Sequence, residues 1–496
     1  MDIEKNYSCL ERNCRVFQKG FDMDIDYQES IPAYCDDIFK VVKCVSQNYI
    51  TSVQTNFNEV KIIGKCEICL TYYNENSCLC YADFEEEFTK NIDIENLSDN
   101  AFVYATVCDK YTSFRVINQR RIDIHSASCI NVSVYDNAKC PCLSSCDNSK
   151  LRTDSIRISN IVASSITKIE FDEEFSVPSD SKPIKRIISG TAFTSLTETK
   201  IIKDKALIKA VVTLHVLYTT DEANEQISKC EYSFAVSKII DVSGISENDH
   251  ILVDLKIGNL FYRTKASSND TLGVIETFGE ISVAALFIKE MNQQVITDGY
   301  VLNRKTNCTY SDFTCMSNGK LINDTKSINM ELEMPGEVAE IKEISLFMLD
   351  SRISKGKLIT KTNYCIVALN TEGVLMSYSN TKEFEIEMNA DFSALTAISV
   401  SSYDYSIKSN TAIDIRMNIN LNAYLYKEET IKILSEIDVD DKIIESPEMT
   451  LYFGKESESV WSIAKSFSSD ADLIVKENEL KSDILDCNKV LIIPSV

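Results

Sequence analysis

Between Ile413 and Leu425 every second residue is apolar: Ile413, Ile415, Met417, Ile419, Leu421, Ala423 and Leu425 share one face, while Asp414, Arg416, Asn418, Asn420 and Asn422 share the other. Alternation with a period of two marks a strand with one buried face. At ~3.3 Å per residue the run makes a strand of roughly 40 Å, long enough to expect a bend or bulge. Ile122 to Val134, less cleanly, and Phe278 to Ile288 repeat the pattern. A shift of 146 positions carries Pro32 onto Pro178 and, without a gap, Phe88 onto Phe234. Between those anchors Ile62, Gly64, Cys66, Ile68, Leu70 and Tyr72 fall on Ile208, Ala210, Val212, Leu214, Val216 and Tyr218, again alternating. A third copy opens at Met334-Pro335, as the others open at Ile31-Pro32 and Val177-Pro178, and aligns after a short deletion before Leu358 to Leu369.

The repeat predicts a mostly β protein: a lead of 1–20, then tandem antiparallel sandwich-like domains at 21–150, 168–318 and 325–440. No long amphipathic helical pattern alternates with the strands, which disfavours a parallel α/β fold. The period is far above the about 20–50 residues of solenoids, so beads on a chain are expected rather than one continuous core.

After Ser446-Pro447 the pattern changes, and 447–496 reads as a separate module. Met449 to Phe453 is a short strand; Val460, Ile463, Ala464 and Phe467 recur at helical spacing; Val490 to Ile493 closes the module as a second strand. Ser469, followed by Asp470 and Asp472, is expected to cap a second helix, because a hydroxyl and acids suit the positive first turn. The order strand, helix, helix, strand forms a small α+β (βααβ) unit in which the strands pair antiparallel with both helices on one face.

Charge narrows the function classes. With 51 basic and 75 acidic residues the chain carries −24, which disfavours nucleic acid and anionic membrane surfaces as partners. No stretch approaches the ~20 apolar residues that span a bilayer, so no membrane insertion is expected. Met1 to Tyr27 mixes charges throughout and lacks an apolar signal core, so a cytosolic chain with reduced thiols is expected.

Thirteen of the 18 cysteines precede residue 147. Cys66 and Cys69 have the C-x2-C spacing of zinc ligands, but residues three apart on a strand face opposite ways. Cys66 replaces Val212 on the apolar face, and Cys69 replaces His215 on the other. Cys78 and Cys80 match Asn224 and Gln226 and read as loop thiols. Cys140, Cys142 and Cys146 flank Pro141 in a connection after the first domain, lack counterparts in the second, and are candidates for metal binding or crosslinking. No other cofactor is implied. His125, His215 and His250 stand on strands or alone, and no H-E-x-x-H, G-x-S-x-G or P-loop pattern occurs, so no catalytic constellation is legible and no enzyme is expected.

The terminal module resembles the LysM family. The run VWSIAKSF at Val460 to Phe467 is close to its first-helix signature, Asn478 stands where its second helix ends, and VLIIP at Val490 to Pro494 matches its last strand. That resemblance implies binding through two loops, here Glu456, Ser457, Glu458 and Ser459 before the first helix and Leu485, Asp486, Cys487 and Asn488 before the last strand. The family mostly recognises N-acetylglucosamine polymers such as peptidoglycan. Here its usual Gly-Asp-Thr is replaced by Ser457-Glu458-Ser459 and its Pro-Gly-Gln by Cys487-Asn488-Lys489, so both glycines that let a sugar approach the backbone are gone. Tandem β repeats before a terminal LysM also resemble the SPOCS (sporulation-associated) domain proteins of clostridia and relatives. That likeness implies a non-enzymatic spore-coat morphogenesis protein. It would be made in the mother-cell cytoplasm and docked at the forespore surface on the ATPase of the coat basement layer or a similar coat protein. Peptidoglycan of the wall or cortex is the alternative partner. From Pro447 onward nine acids face five bases, which predicts a basic partner surface.

Overall fold

The computed structural model describes residues 3–177, 183–220, 226–265, 273–354, 356–388, 392–444 and 449–495. Pro178, Ser446 and Pro447, which mark boundaries in the sequence, lie outside them. The first unit runs β1 (Lys5–Ser30), β2 (Lys40–Asn56), β3 (Glu59–Tyr73), β4 (Leu79–Asp93), β5 (Phe102–Asn118) and β6 (Arg121–Cys146). The second repeats it as β7 (Ser149–Ser176), β8 (Ile184–Ile202), β9 (Lys205–Thr220), β10 (Ile227–Asp241), β11 (His250–Lys265) and β12 (Val274–Val301). The third is β13 (Arg304–Glu333), β14 (Glu340–Ser354), β15 (Lys357–Leu369), β16 (Leu375–Glu387), β17 (Ser393–Ser409) and β18 (Ala412–Ile443). In each unit the second, third and fourth strands form one antiparallel sheet and the first, sixth and fifth another; the latter sheets of the second and third units join through β7 and β13 into one six-stranded sheet. In the first unit Val60, Ile62 and Phe88 of one sheet meet Val103, Ile130 and Val132 of the other in a dry core.

The boundaries fall earlier than the repeat suggested. The stretch read as a lead, 1–20, supplies most of β1, and the second and third units begin at Ser149 and Arg304. Tight connections hide these joints, because Asn and Asp take the left-handed turn positions that glycine would otherwise fill. Asn58, Asn148, Asp204 and Asn303 all have φ between 52° and 61°. A chain with 13 glycines can thus turn often.

The first and last strands of each unit, 26 to 32 residues long, outrun their sandwich. Register shifts at Arg15/Phe17, Phe287/Ile288 and Ser317/Lys320 mark where each hairpin leaves its sandwich and continues as a two-stranded ribbon. The three ribbons pack together as a stalk around Ile158, Val295, Phe313 and Ile433, then Leu143, Val301, Leu434 and Ile437. Arg12 of the first ribbon lies 4.6 Å from the ring centre of Phe313 in the third.

Here three expectations are corrected. The units are not beads: one shared cluster combines Tyr104, Leu252, Ala284, Leu395 and Tyr424, and another Val42, Ile188, Leu217 and Val367, with all three units represented in each. At this junction Lys43 of the first unit is paired with Glu343 of the third, which also accepts from Ser189 Oγ of the second at 2.8 Å. Cys140, Cys142 and Cys146 are not in a connection. They lie on β6, 8%, 5% and 9% exposed, in the stalk interior. Cysteine around a proline does not read as alternation, which is why the strand was missed. Cys66 is fully buried as the repeat implied, and Cys80, read as a loop thiol, is on β4 and in the core.

Candidate functional site

The stalk ends in the terminal module: β19 (Met449–Gly454), α1 (Val460–Phe467), α2 (Ala471–Glu477) and β20 (Lys489–Pro494), with β19 and β20 antiparallel. Ser459 caps α1, its Oγ accepting from the Ser462 amide at 3.1 Å. The cap of α2 is Asp470, not Ser469; Ser469 Oγ instead donates to the Pro494 carbonyl. Asn478 ends α2 and its amide group exchanges two hydrogen bonds with Ile492, tying helix to strand. Val460, Ile463, Ala464, Ile474, Leu491 and Ile493 form the module's interior. Gly454 lets the strand pass close to Leu485, whose Cδ1 a Cβ there would meet at 2.5 Å.

The two predicted loops are brought together as one edge. Ser457 N donates to Leu485 O and Leu485 N to Glu458 O, both at 2.9 Å; Glu456 N donates to Asn488 Oδ1 at 2.9 Å, and Val460 N to Asp483 O at 2.7 Å. Ser457 has φ +69°, the left-handed conformation natural to glycine, held here by a serine at a cost in strain. Glu458 accepts from the Lys455 amide at 2.8 Å and from Tyr452 Oη at 3.0 Å, and these bonds hold its carboxyl below the usual range. Glu456, Asp486, Cys487 and Asn488 are exposed, whereas Leu485 is 3% exposed and belongs to the interior. Among the eight predicted contacts, Leu485 therefore positions the loop and has no face for a partner. An aliphatic residue between the exposed Ile484 and the exposed Asp486 gave no hint of its direction. The Cys487 thiol is raised by its hydrogen bond to Asp486.

Sequence reasoning missed how the module is seated. Asp298, near the end of β12, accepts from Trp461 Nε1 at 2.8 Å and Tyr310 Oη at 2.7 Å and pairs with Lys465. Burial alone would raise the Asp298 carboxyl, but the bonds from Lys465, Trp461 and Tyr310 outweigh it and hold it low. Tyr300 meets Trp461 edge to face at 5.2 Å, Ser468 Oγ donates to Arg304 O at 2.9 Å, and Lys150 reaches Asp470 at 2.9 Å and Asp472 at 2.6 Å. Tyr300 and Leu302 complete the module's core, so its helical face is covered by the stalk. Only the lone Trp461, an aromatic on a short helix, hinted at such a contact.

Elsewhere the candidate chemistry stays dispersed. Cys140 and Cys142 belong to one stalk layer and Cys146 to the next, and burial raises the Cys140 and Cys146 thiols, a setting for inert rather than reactive sulfur. No group of three or more His, Cys, Asp or Glu among the described residues is placed to hold a metal ion. His125 is held by Asp26 at 2.8 Å, and His215 stacks on Tyr403 and meets Phe193 edge-on where the second and third units meet. No helix among the described residues is long and apolar enough to cross a membrane.

Compared with known families, residues 183–265 match the SipL, SPOCS domain, and residues 455–494 match the LysM domain. The first match covers β8 to β11 of the second unit, and the second covers the module at the stalk end. No curated protein and no solved structure matches the chain.

Proposed function

From a chain that carries a sporulation-associated SPOCS domain and a terminal LysM module, both binding domains rather than catalytic ones, we propose a non-enzymatic scaffold of spore-coat morphogenesis. It acts in the mother-cell cytoplasm and docks at the forespore surface through its LysM edge. The partner is the ATPase of the coat basement layer or a similar coat protein. One observation carries the reading: the stitched loops expose Glu456 and Asp486 on a module whose helices are packed against the stalk. An acidic edge on a fixed mount suits a basic protein surface, with an association that weakens as salt rises. The test is a pull-down of the basement-layer ATPase by the full chain, by a chain ending at residue 446, and by Glu456→Lys/Asp486→Lys. Truncation should abolish capture and the charge reversal weaken it; capture undiminished by truncation refutes the docking.

A second reading rests on the LysM match itself and on Ser457, whose φ of +69° is the left-handed conformation that glycine favours. It makes peptidoglycan the ligand. Sedimentation with purified peptidoglycan separates the two, because a glycan binder pellets with the polymer and a coat scaffold stays in solution.

A further inference from the structure

The chain carries 18 cysteines. Among the described residues the strand registers set cysteine directly against cysteine in one place, Cys108 of β5 opposite Cys129 of β6. Directly opposed residues on antiparallel strands have Cα atoms about 4.5–5.5 Å apart, inside the about 4.4–6.8 Å that a disulfide spans. Their Cβ atoms start about 4.5–5.5 Å apart, slightly wide of the about 3.5–4.5 Å of a relaxed bridge. A bond can close there by drawing the strands together, and the strain it takes up leaves it easy to reduce.

Both residues are thiols and both are partly exposed. Ile130 and Val132 point into the sandwich core, so Cys129 and Asn131, which alternate with them, point away from it. The Asn131 amide group meets both sulfurs: its Nδ2 donates to Cys108 Sγ at 3.9 Å, and Cys129 Sγ donates to its Oδ1 at 3.7 Å. Cys108, Asn131 and Gly20 line a chamber of about 360 Å³ where the three units meet, and Gln18, Lys19 and Gly20 are exposed at its side. A water claims ~30 Å³ in the liquid, so an oxidant the size of a peroxide has room to enter. Gly20 leaves Cys129 open on that side, since a Cβ there would stand 3.3 Å from its Sγ.

The two sulfurs differ in reactivity. Burial pushes the Cys108 thiol up to about 12. Cys129 lies within electrostatic reach of the Lys110 ammonium, which pairs at 2.5 Å with Asp22, itself an acceptor from Cys129. A cation beside a partly exposed sulfur favours the nucleophilic thiolate.

We propose that Cys108 and Cys129 are a reversible oxidation site of the first unit, joined as a disulfide when the chain meets a peroxide. Cys129, as the thiolate, takes one oxygen of hydrogen peroxide and becomes the sulfenic acid, while the departing hydroxide recovers the thiol proton as water. The Cys108 sulfur then displaces the sulfenic hydroxyl, its own proton leaving with it as a second water. Two thiols are oxidised to one disulfide and one peroxide is reduced to two waters. β5 is the edge strand of its sheet and packs on β2 and, across the junction, on β14. Oxidation therefore fastens a wall of the junction to β6, apart from the LysM edge and independently of coat docking.

The test uses the full chain carrying Cys9→Ser and Cys487→Ser, which removes the two exposed thiols. It is freed of reductant, treated with hydrogen peroxide at neutral pH, alkylated and digested without reduction. Mass spectrometry should find Cys108 and Cys129 joined as the main disulfide, and dithiothreitol should return both thiols. The β5 amides should exchange at least several-fold more slowly in the oxidised chain and recover on reduction. In Cys108→Ser, dimedone should trap Cys129 as the sulfenic acid, and in Cys129→Ser, Cys108 should stay a thiol. Should either variant not fold, the disulfide map of the parent chain decides alone. Both cysteines still reduced after treatment, Cys129 joined to another cysteine, or a link that forms only in denaturant would each overturn the assignment.

Discussion

Lys43 and Glu343 join the first and third units with side chains 4% and 3% exposed, and Ser189 of the second unit and Ser345 of the third donate to the carboxylate at 2.8 and 3.2 Å. Lys43→Met leaves Glu343 buried with only hydroxyl donors, and Glu343→Leu leaves an unpaired ammonium. Breaking such a pair from one side costs roughly 3–5 kcal/mol, whereas replacing both members with apolar residues of similar volume is about neutral or stabilising by about 1–4 kcal/mol. Lys43 and Glu343 face the junction while their neighbours Cys44 and Ile344 face the single-unit cores, so the loss should appear as separation of units more than as their unfolding. Hydrogen exchange is the suitable assay. In each single variant the amides of β2, β8 and β14 should exchange on the order of a hundredfold or more faster, about 1.4 kcal/mol per tenfold. The double variant should restore much of the protection, giving a coupling energy of several kcal/mol. A Lys43→Met variant with protection unchanged, or a double variant as loose as the singles combined, would show that the pair does not hold the junction.

Other outcomes follow from the module and its seat. Trp461 is the chain's one tryptophan, so Asp298→Asn should shift its emission to the red as the module loosens from the stalk; unchanged emission refutes the anchor. Because the Asp298 carboxyl is held low in the folded chain, its contribution is full above the ordinary carboxylate value near pH 3.9 and disappears as pH falls through its lower folded value. An acid titration of the same emission should therefore show a transition in wild type below about pH 4 that Asp298→Asn lacks. Ser457→Gly relieves the positive φ and should protect the β19 and β20 amides by about 0.5–1 kcal/mol net of the extra chain entropy of glycine. Leu485→Ala should cost about 2–5 kcal/mol of module stability, while Asp486→Ala should leave stability within about 0.5 kcal/mol and act only on partner binding. Cys9 and Cys487, both exposed, should alkylate at once in the native chain. Cys140 and Cys142 should react only on unfolding; early labelling there would contradict their place in the stalk.

The strands were legible because a half-buried sheet imposes alternation residue by residue, and the runs at Ile62 to Tyr72 and Ile208 to Tyr218 sit in β3 and β9 as the repeat placed them. The LysM elements were legible for a similar local reason: Val460 to Phe467 and Asn478 keep their roles with the helix cap one residue from its expected place. What stayed hidden depends on contacts between units. Outer-face residues such as Val42, Ile188 and Val367 look like the less apolar side of a lone sandwich, and only the assembled junction shows why they are apolar. The stalk was hidden because Cys140 to Cys146 and the polar-rich start of β1 carry no clean alternation. Asp298 was one carboxylate among 75 acids until the fold set it under Trp461.

Three like units closing around one junction resemble a trimer whose subunits have been joined end to end, and the joining changes the valence. A true trimer of one-unit chains would display three terminal modules and would dissociate on dilution. Here a single module caps three ribbons, and closure is intramolecular, so the head holds together at any protein concentration. Under the proposed docking each molecule would offer its partner one foot, and a coat lattice that needs many simultaneous attachments would have to recruit many copies of this chain, spaced by the partner surface.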